Sequence, residues 1–322
     1  MNKRAESSGE RRAGKRPADL ILRAIFYAHK FGTIRKKQYL CNMIKKYRLT
    51  IFAVLVFAAI IVFGVKGAAK QQYSGESRIE IPLPLKDTPE QILYRNGYTV
   101  SYNKDTRIPN WVAWHLTAEH TKGPHRRPGG AWHEDEEVQR PRATIYDYRD
   151  VRWSRGHMCP AGDNKWDADA MYDSFLLTNC CPQDGNLNSG DWNQIEMACR
   201  RWAERWGDVY IVCGPVLFRQ AHETIGPNRI VVPEAFFKVV VCLNGKPKGI
   251  GYVCRNTASS NRNEPQAISI GEVERITGMT FFPTLPKDVA EAVKSTADPN
   301  AWDYSARRSS YGLREGRTGD PR

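Results

Sequence analysis

The chain has 322 residues, of which 41% are hydrophobic and 11% aromatic; that is ample for a packed core and excludes wholesale disorder. The formal net charge is +13, but residues 1–48 hold 14 of the 48 Lys and Arg against three acids, a net of +11, and everything after them carries 34 bases against 32 acids. The excess charge is a property of the leader and does not describe the partners of the folded part.

Residues 49–65 (LTIFAVLVFAAIIVFGV) run for seventeen positions without a charge, behind Lys45, Lys46 and Arg48 and ahead of Lys66. At about 1.5 Å per residue this just spans a thin bilayer core, and an apolar surface on every side argues against a core helix. Seven Lys and Arg lie within twenty residues before it and three after it, which predicts a single-pass anchor with a cytoplasmic N-terminus and an exported C-terminal bulk. Two other readings stay open. A signal peptide starting near Met43 would be cut after Gly67-Ala68-Ala69, with residues 1–42 an upstream extension and the product secreted. Alternatively, the acid-poor first forty residues, with amphipathic spacing in ADLILRAIFYAHKF, form a mitochondrial presequence.

Residues 66–80 read as a polar linker, residues 81–290 as one α+β domain, and residues 291–322 as a disordered tail rich in Ser, Gly and Arg. Within the domain, β-rich runs at 98–102, 111–117, 209–213, 236–242 and 250–254 predict strands. Trp192, Ile195, Cys199, Trp202 and Trp206 recur at intervals of three and four, which predicts a helix over 191–206 with a buried stripe. Seven of the eight cysteines fall in the domain; an oxidising compartment would permit disulfides, the odd number leaves one unpaired, no zinc spacing is present, and burial is the expected fate of most.

Two clusters carry the chemistry. In SRGHMCPAGDN (154–164), Arg155 and His157 flank Gly156, which suits an imidazole approaching a phosphate that a guanidinium neutralises. The second runs from SFLLTNCCPQ (174–183), which contains Asn179, through LNSGDWNQIE (187–196) to Arg200. Asn188 stands where a helix N-cap is expected, and Glu196 and Arg200 are spaced as an i,i+4 ion pair, but both adjoin the apolar stripe and so lie at the rim of a cleft.

These clusters, in this order, together with GYTVSYNKDTRIPNWVAWHLT, VYIVCGPV, VPEAFFKVVV and VERITGMTFFP, resemble the DNA/RNA non-specific endonuclease family, the endonuclease G-like nucleases with a ββα-metal site. The resemblance implies a ββα-metal finger on a central mixed or antiparallel sheet, and hydrolysis of DNA and RNA to 5′-phosphate products. It makes His157 the general base, Asn188 the protein ligand of Mg²⁺ (or Mn²⁺), and Glu196 a holder of metal-bound water. Arg155 and Arg200 would face the phosphate, Asn179 would orient the site, and Arg127 best matches a further upstream arginine. Ser154 departs from the family's usual Asp. An imidazole near its ordinary pKa of ~6.5 suits the base. Phosphate contacts imply partners bound without sequence preference, a homodimer is a further expectation, and the membrane is a partner through 49–65. The basic positions from Arg126 to Arg155 are interrupted by acids at 134–137. With Ser154, that interruption motivates an alternative: a binding or envelope-interaction protein on the same fold.

Overall fold

A computed structural model describes residues 78–257 and 266–302. The anchor expected at 49–65 and the basic leader lie outside the described residues, as does the tail from 303; among the described residues no helix is long and apolar enough to cross a membrane.

The strands in chain order are β1 (Gln91–Tyr94), β2 (Thr99–Asn103), β3 (Ile108–Thr117), β4 (Ser154–His157), β5 (Cys180–Gln183), β6 (Asp208–Val216), β7 (Thr224–Ile225), β8 (Ile230–Val231), β9 (Ala235–Cys242), β10 (Lys248–Arg255) and β11 (Ala267–Ile268). Seven of them form the main sheet in the order β1-β2-β3-β6-β9-β10-β11, and every neighbouring pair is antiparallel, which settles the sheet as antiparallel rather than mixed. The helices are α1 (Ala168–Asp173), α2 (Asn193–Trp206), α3 (Ile270–Thr277) and α4 (Lys287–Lys294).

Both faces of the sheet are covered, so its central strands are apolar on both sides rather than alternating with polar residues. Along β9, Phe236 and Val240 point into one core with Ile195, Cys199 and Trp202 of α2, while Phe237, Val239 and Val241 point into the other with Val273 of α3 and Val293 of α4. Burying each such side chain is worth roughly 1.5–3 kcal/mol before chain entropy is subtracted. The layers are therefore α2 with the finger, the sheet, and the α3/α4 pair.

The packed domain is longer than 81–290. Ile79 is already buried, α4 runs to Lys294, and Trp302 is fully buried against Trp202 and Trp206, so residues 291–302 are structured rather than part of a disordered tail. The large Trp302 indole, which adds core area beyond α4, is the reason.

Candidate active site

β4 and β5 form a separate antiparallel hairpin with His157 opposite Cys180 and Gly156 opposite Cys181, and α2 follows, completing a ββα unit on one face of the sheet. Side chains weld the three pieces together. The Trp192 indole N–H donates to the His157 carbonyl (3.3 Å), and Arg200 Nη1 donates to Asp163 Oδ1 (2.8 Å) in the turn after β4. Asn179 is fully buried; its amide donates to the carbonyls of Cys159 and Ser174, and its oxygen accepts the Cys159 N–H, all at 2.8 Å. It thereby fixes the chain two residues beyond His157. Gly156 has a local cause: a Cβ there would stand 2.2 Å from Gln183 Oε1, so it makes room for a buried glutamine rather than for an incoming phosphate.

The His157 ring stacks obliquely on Trp132 (4.3 Å between centroids) and meets the Phe175 edge at 5.0 Å. Its Nε2 is buried without a hydrogen-bond partner among the described residues. Burial, helped by the Arg127 charge, lowers its pKa to about 3, well under the ordinary value expected from sequence. The cause is tertiary: Phe175 comes from the second cluster and Trp132 from outside both. A neutral imidazole is available across the physiological range, although as a weaker base than an unperturbed one.

Trp132 also forms one wall of a cavity of about 420 Å³ that brings Arg127, Arg149 and Arg155 together beside Tyr148. Arg127 lies over the Phe175 ring (5.2 Å) and Arg155 over Trp132 (5.8 Å). The opposite wall is anchored by Asp147, fully buried and accepting from the N–H and hydroxyl of Thr144 and from Asn228. Three of the four acids that interrupt the basic stretch, and Glu223 further along, have specific partners. Glu134 takes Arg140 and Arg142 at 3.1 and 3.0 Å, Asp135 and Glu137 take Arg95, and Glu223 takes Arg152. The three arginines at the cavity have no carboxylate partner among the described residues.

Asn188 does not cap a helix. Asp184 caps the short turn Gly185–Leu187, and the chain then passes through a wide turn, Asn188–Trp192, whose Gly190 leaves helical geometry (φ −99°, ψ −109°) before α2 begins. Within the described residues the Asn188 amide side chain is left without a partner. Glu196, one turn into α2, is half-buried and its carboxyl is pushed up to about 7 by burial, against the opposing pull of Lys238 and Arg200. Arg200 pairs with Asp163 rather than with Glu196, and Asp163 also accepts the Trp114 indole N–H at 3.1 Å. That makes Arg200 a brace across the finger instead of an open phosphate contact. Ser154 begins β4 opposite Gln183, with its hydroxyl toward Gly185.

An amide oxygen and a carboxylate, neither hydrogen-bonded within the described residues, suit a hard cation that keeps most of its waters; among the described residues there is no cluster of three His, Cys, Asp or Glu. Sequence reasoning counted Arg149 only as one of the basic stretch, and missed Trp132, Asp163 and Lys238. Only Lys238 left a signal, as a lone charge inside the otherwise apolar run AFFKVVVC.

The family model described as DNA/RNA non-specific endonuclease matches residues 78–288. Human "Nuclease EXOG, mitochondrial" is 34% identical over 224 residues, covering 63% of this chain and 60% of that protein, so the chain matches less than two thirds of that relative's length. Bovine "Endonuclease G, mitochondrial" is 31% identical over 209 residues, covering 61% of this chain and 70% of that protein. A solved EndoG/EndoGI complex, reported with a mechanism of EndoG inhibition, superposes with a TM-score of 0.58 at 28% identity over 63% of this chain and 89% of that one.

Proposed function

The chain belongs to the DNA/RNA non-specific endonuclease family, and from that membership we propose that it hydrolyses phosphodiester bonds of DNA and RNA with a divalent ion, Mg²⁺ or Mn²⁺. The observation that carries the proposal is the neutral His157 with an orphaned Nε2, stacked on the wall of a cavity holding three guanidiniums. His157 takes a proton from the attacking water. Arg127 and Arg155 hold the scissile phosphate, and Asn179 keeps the base in place. Asn188 and Glu196 would hold the ion, Asn188 directly and Glu196 through water. When bound, the ion stabilises the charge developing on the phosphoryl and leaving oxygens. Backbone contacts account for sequence-independent substrates, and cleavage of the P–O3′ bond, with the 3′ oxygen leaving as a hydroxyl, gives 5′-phosphate products.

The relatives' names place them in mitochondria. That supports a mitochondrial address for the basic leader beside the membrane-anchored reading of 49–65, and fractionation of tagged full-length chain separates the two.

The function is tested with purified full chain, supercoiled plasmid and RNA, in Mg²⁺ or EDTA, beside His157→Ala. The expected result is ion-dependent loss of both polymers by the parent and a 10²- to 10⁴-fold slower reaction by the variant. A parent that binds both and cleaves neither, in Mg²⁺ or Mn²⁺, replaces this reading with the binding-protein alternative.

A further inference from the structure

The chemistry proposed above leaves one charged side chain unused. Lys238 lies mid-strand in β9, fully buried, and its ammonium carries three donors with no hydrogen-bond acceptor among the described residues. A desolvated charge of this kind is costly and persists only where its surroundings compensate it. Here two ring faces do so: Nζ stands 4.2 Å from the Trp192 centroid and 5.6 Å from that of Trp114, both within cation–π range. Glu196 and Cys199 on α2, Asp163 in the turn after β4, and Cys213 on β6 face it as well. Their combined pull outweighs burial and holds its pKa above the ordinary lysine value.

Each of the two indoles does a second job. The Trp192 N–H holds the carbonyl of His157, and the Trp114 N–H holds Asp163, the partner of Arg200. We propose that Lys238 is a positioning residue of the active site: its ammonium, clamped between the faces of Trp192 and Trp114, sets the two indoles whose edges hold the backbone of His157 and the Asp163–Arg200 brace. The clamp stands on geometry alone, and its effect on turnover rests on the nuclease reading. A structural role would look different, because replacing a buried charge by an apolar side chain of similar volume is often neutral or stabilising.

The test compares full-length parent, Lys238→Met, Trp192→Phe and, as a control, Val240→Ala, which thins the same core two residues along the strand. Three quantities are read: Tm, kcat and KM on plasmid DNA with Mg²⁺, and ion-free solvent exchange of the Trp192 indole proton, assigned by its disappearance in Trp192→Phe. In Lys238→Met the expected result is a retained melting transition, at least a tenfold fall in kcat with less than a threefold change in KM, and at least tenfold faster indole exchange. Trp192→Phe keeps the ring face and loses the donor, so its kcat falls comparably; Val240→Ala lowers Tm and leaves kcat within twofold. Turnover of Lys238→Met within threefold of the parent, or unchanged indole exchange, overturns the inference. Should Lys238→Met not fold, unchanged turnover in Trp192→Phe overturns it equally. A parent inactive on plasmid and RNA defeats the nuclease reading instead, and the clamp is then judged by indole exchange alone.

Discussion

His157 and Glu196 are displaced from their ordinary pKa values in opposite directions, each toward its neutral form, and burial is the leading cause of both. An unfolded imidazole binds its proton near pH ~6.5, whereas in the fold His157 waits until about 3; the unfolded chain therefore holds the extra proton across that window. Ion-free Tm is expected to fall as pH drops from about 6.5 toward 3, and His157→Ala is expected to flatten that decline by one proton; an identical slope in the variant would contradict the burial argument. Glu196 has the opposite sign. Its stabilising contribution is complete below the unfolded value of about 4.5 and is lost as pH rises through about 7. The activity of the parent should accordingly rise with pH as that carboxyl ionises, and Glu196→Gln should remove this limb from the pH–rate profile as well as lower the rate. The identities of both residues were legible in their motifs. Their acidities were not, because Trp132 and Lys238 reach the site from outside both motif clusters and Phe175 packs across from the second cluster, and only packing reveals them.

At the scale of elements, the finger depends on α2 being held at two points, Trp192 and Arg200. Asp163 is almost fully buried, accepts from both Arg200 and Trp114, and leaves a largely enclosed guanidinium alone when removed. Breaking such a pair from one side typically costs about 3–5 kcal/mol. Denaturant unfolding of Asp163→Ala should show a loss of that order, and Asp163→Ala combined with Arg200→Met should recover part of it; strictly additive losses would show that the brace carries no coupling. Runs rich in β-branched and aromatic residues made β2, β3, β6, β9 and β10 readable, and a repeat of three and four did the same for α2. The start of α2 was misread because Asn188 has the chemistry of a cap, while the wide turn at Gly190 moves the helix start to Asn193. β4 and β5 were invisible as strands: four residues each, with Gly156 and Pro182 among them, give no periodic signal.

For the whole molecule, charge is segregated by purpose. The leader carries the excess, while within the domain most of the basic stretch from Arg126 to Arg155 is spent on carboxylates and backbone, leaving three arginines at the cavity. The domain's own contribution to duplex-DNA affinity should therefore fall only shallowly with salt. Arg127→Ala and Arg155→Ala should each reduce the slope of log K against log salt by about 1, as measured in EDTA to prevent cleavage. An unchanged slope in both variants would move the phosphate track elsewhere. The count of arginines was visible in the sequence, but their partners were not, since an ion pair such as Arg152 with Glu223 joins residues 71 positions apart.

All seven described cysteines are free and buried, and burial pushes Cys180, Cys199, Cys213 and Cys254 up to about 12. A thiol held this far above neutrality is a poor nucleophile, and no cross-link within the described residues depends on an oxidant. The domain should melt at the same temperature with or without reductant. Its thiols then act as a molecular clock for breathing: all seven sit in the core between the sheet and the α2 layer, so a small alkylating reagent labels them only when that layer parts, and labelling rates cysteine by cysteine rank which part of it opens first.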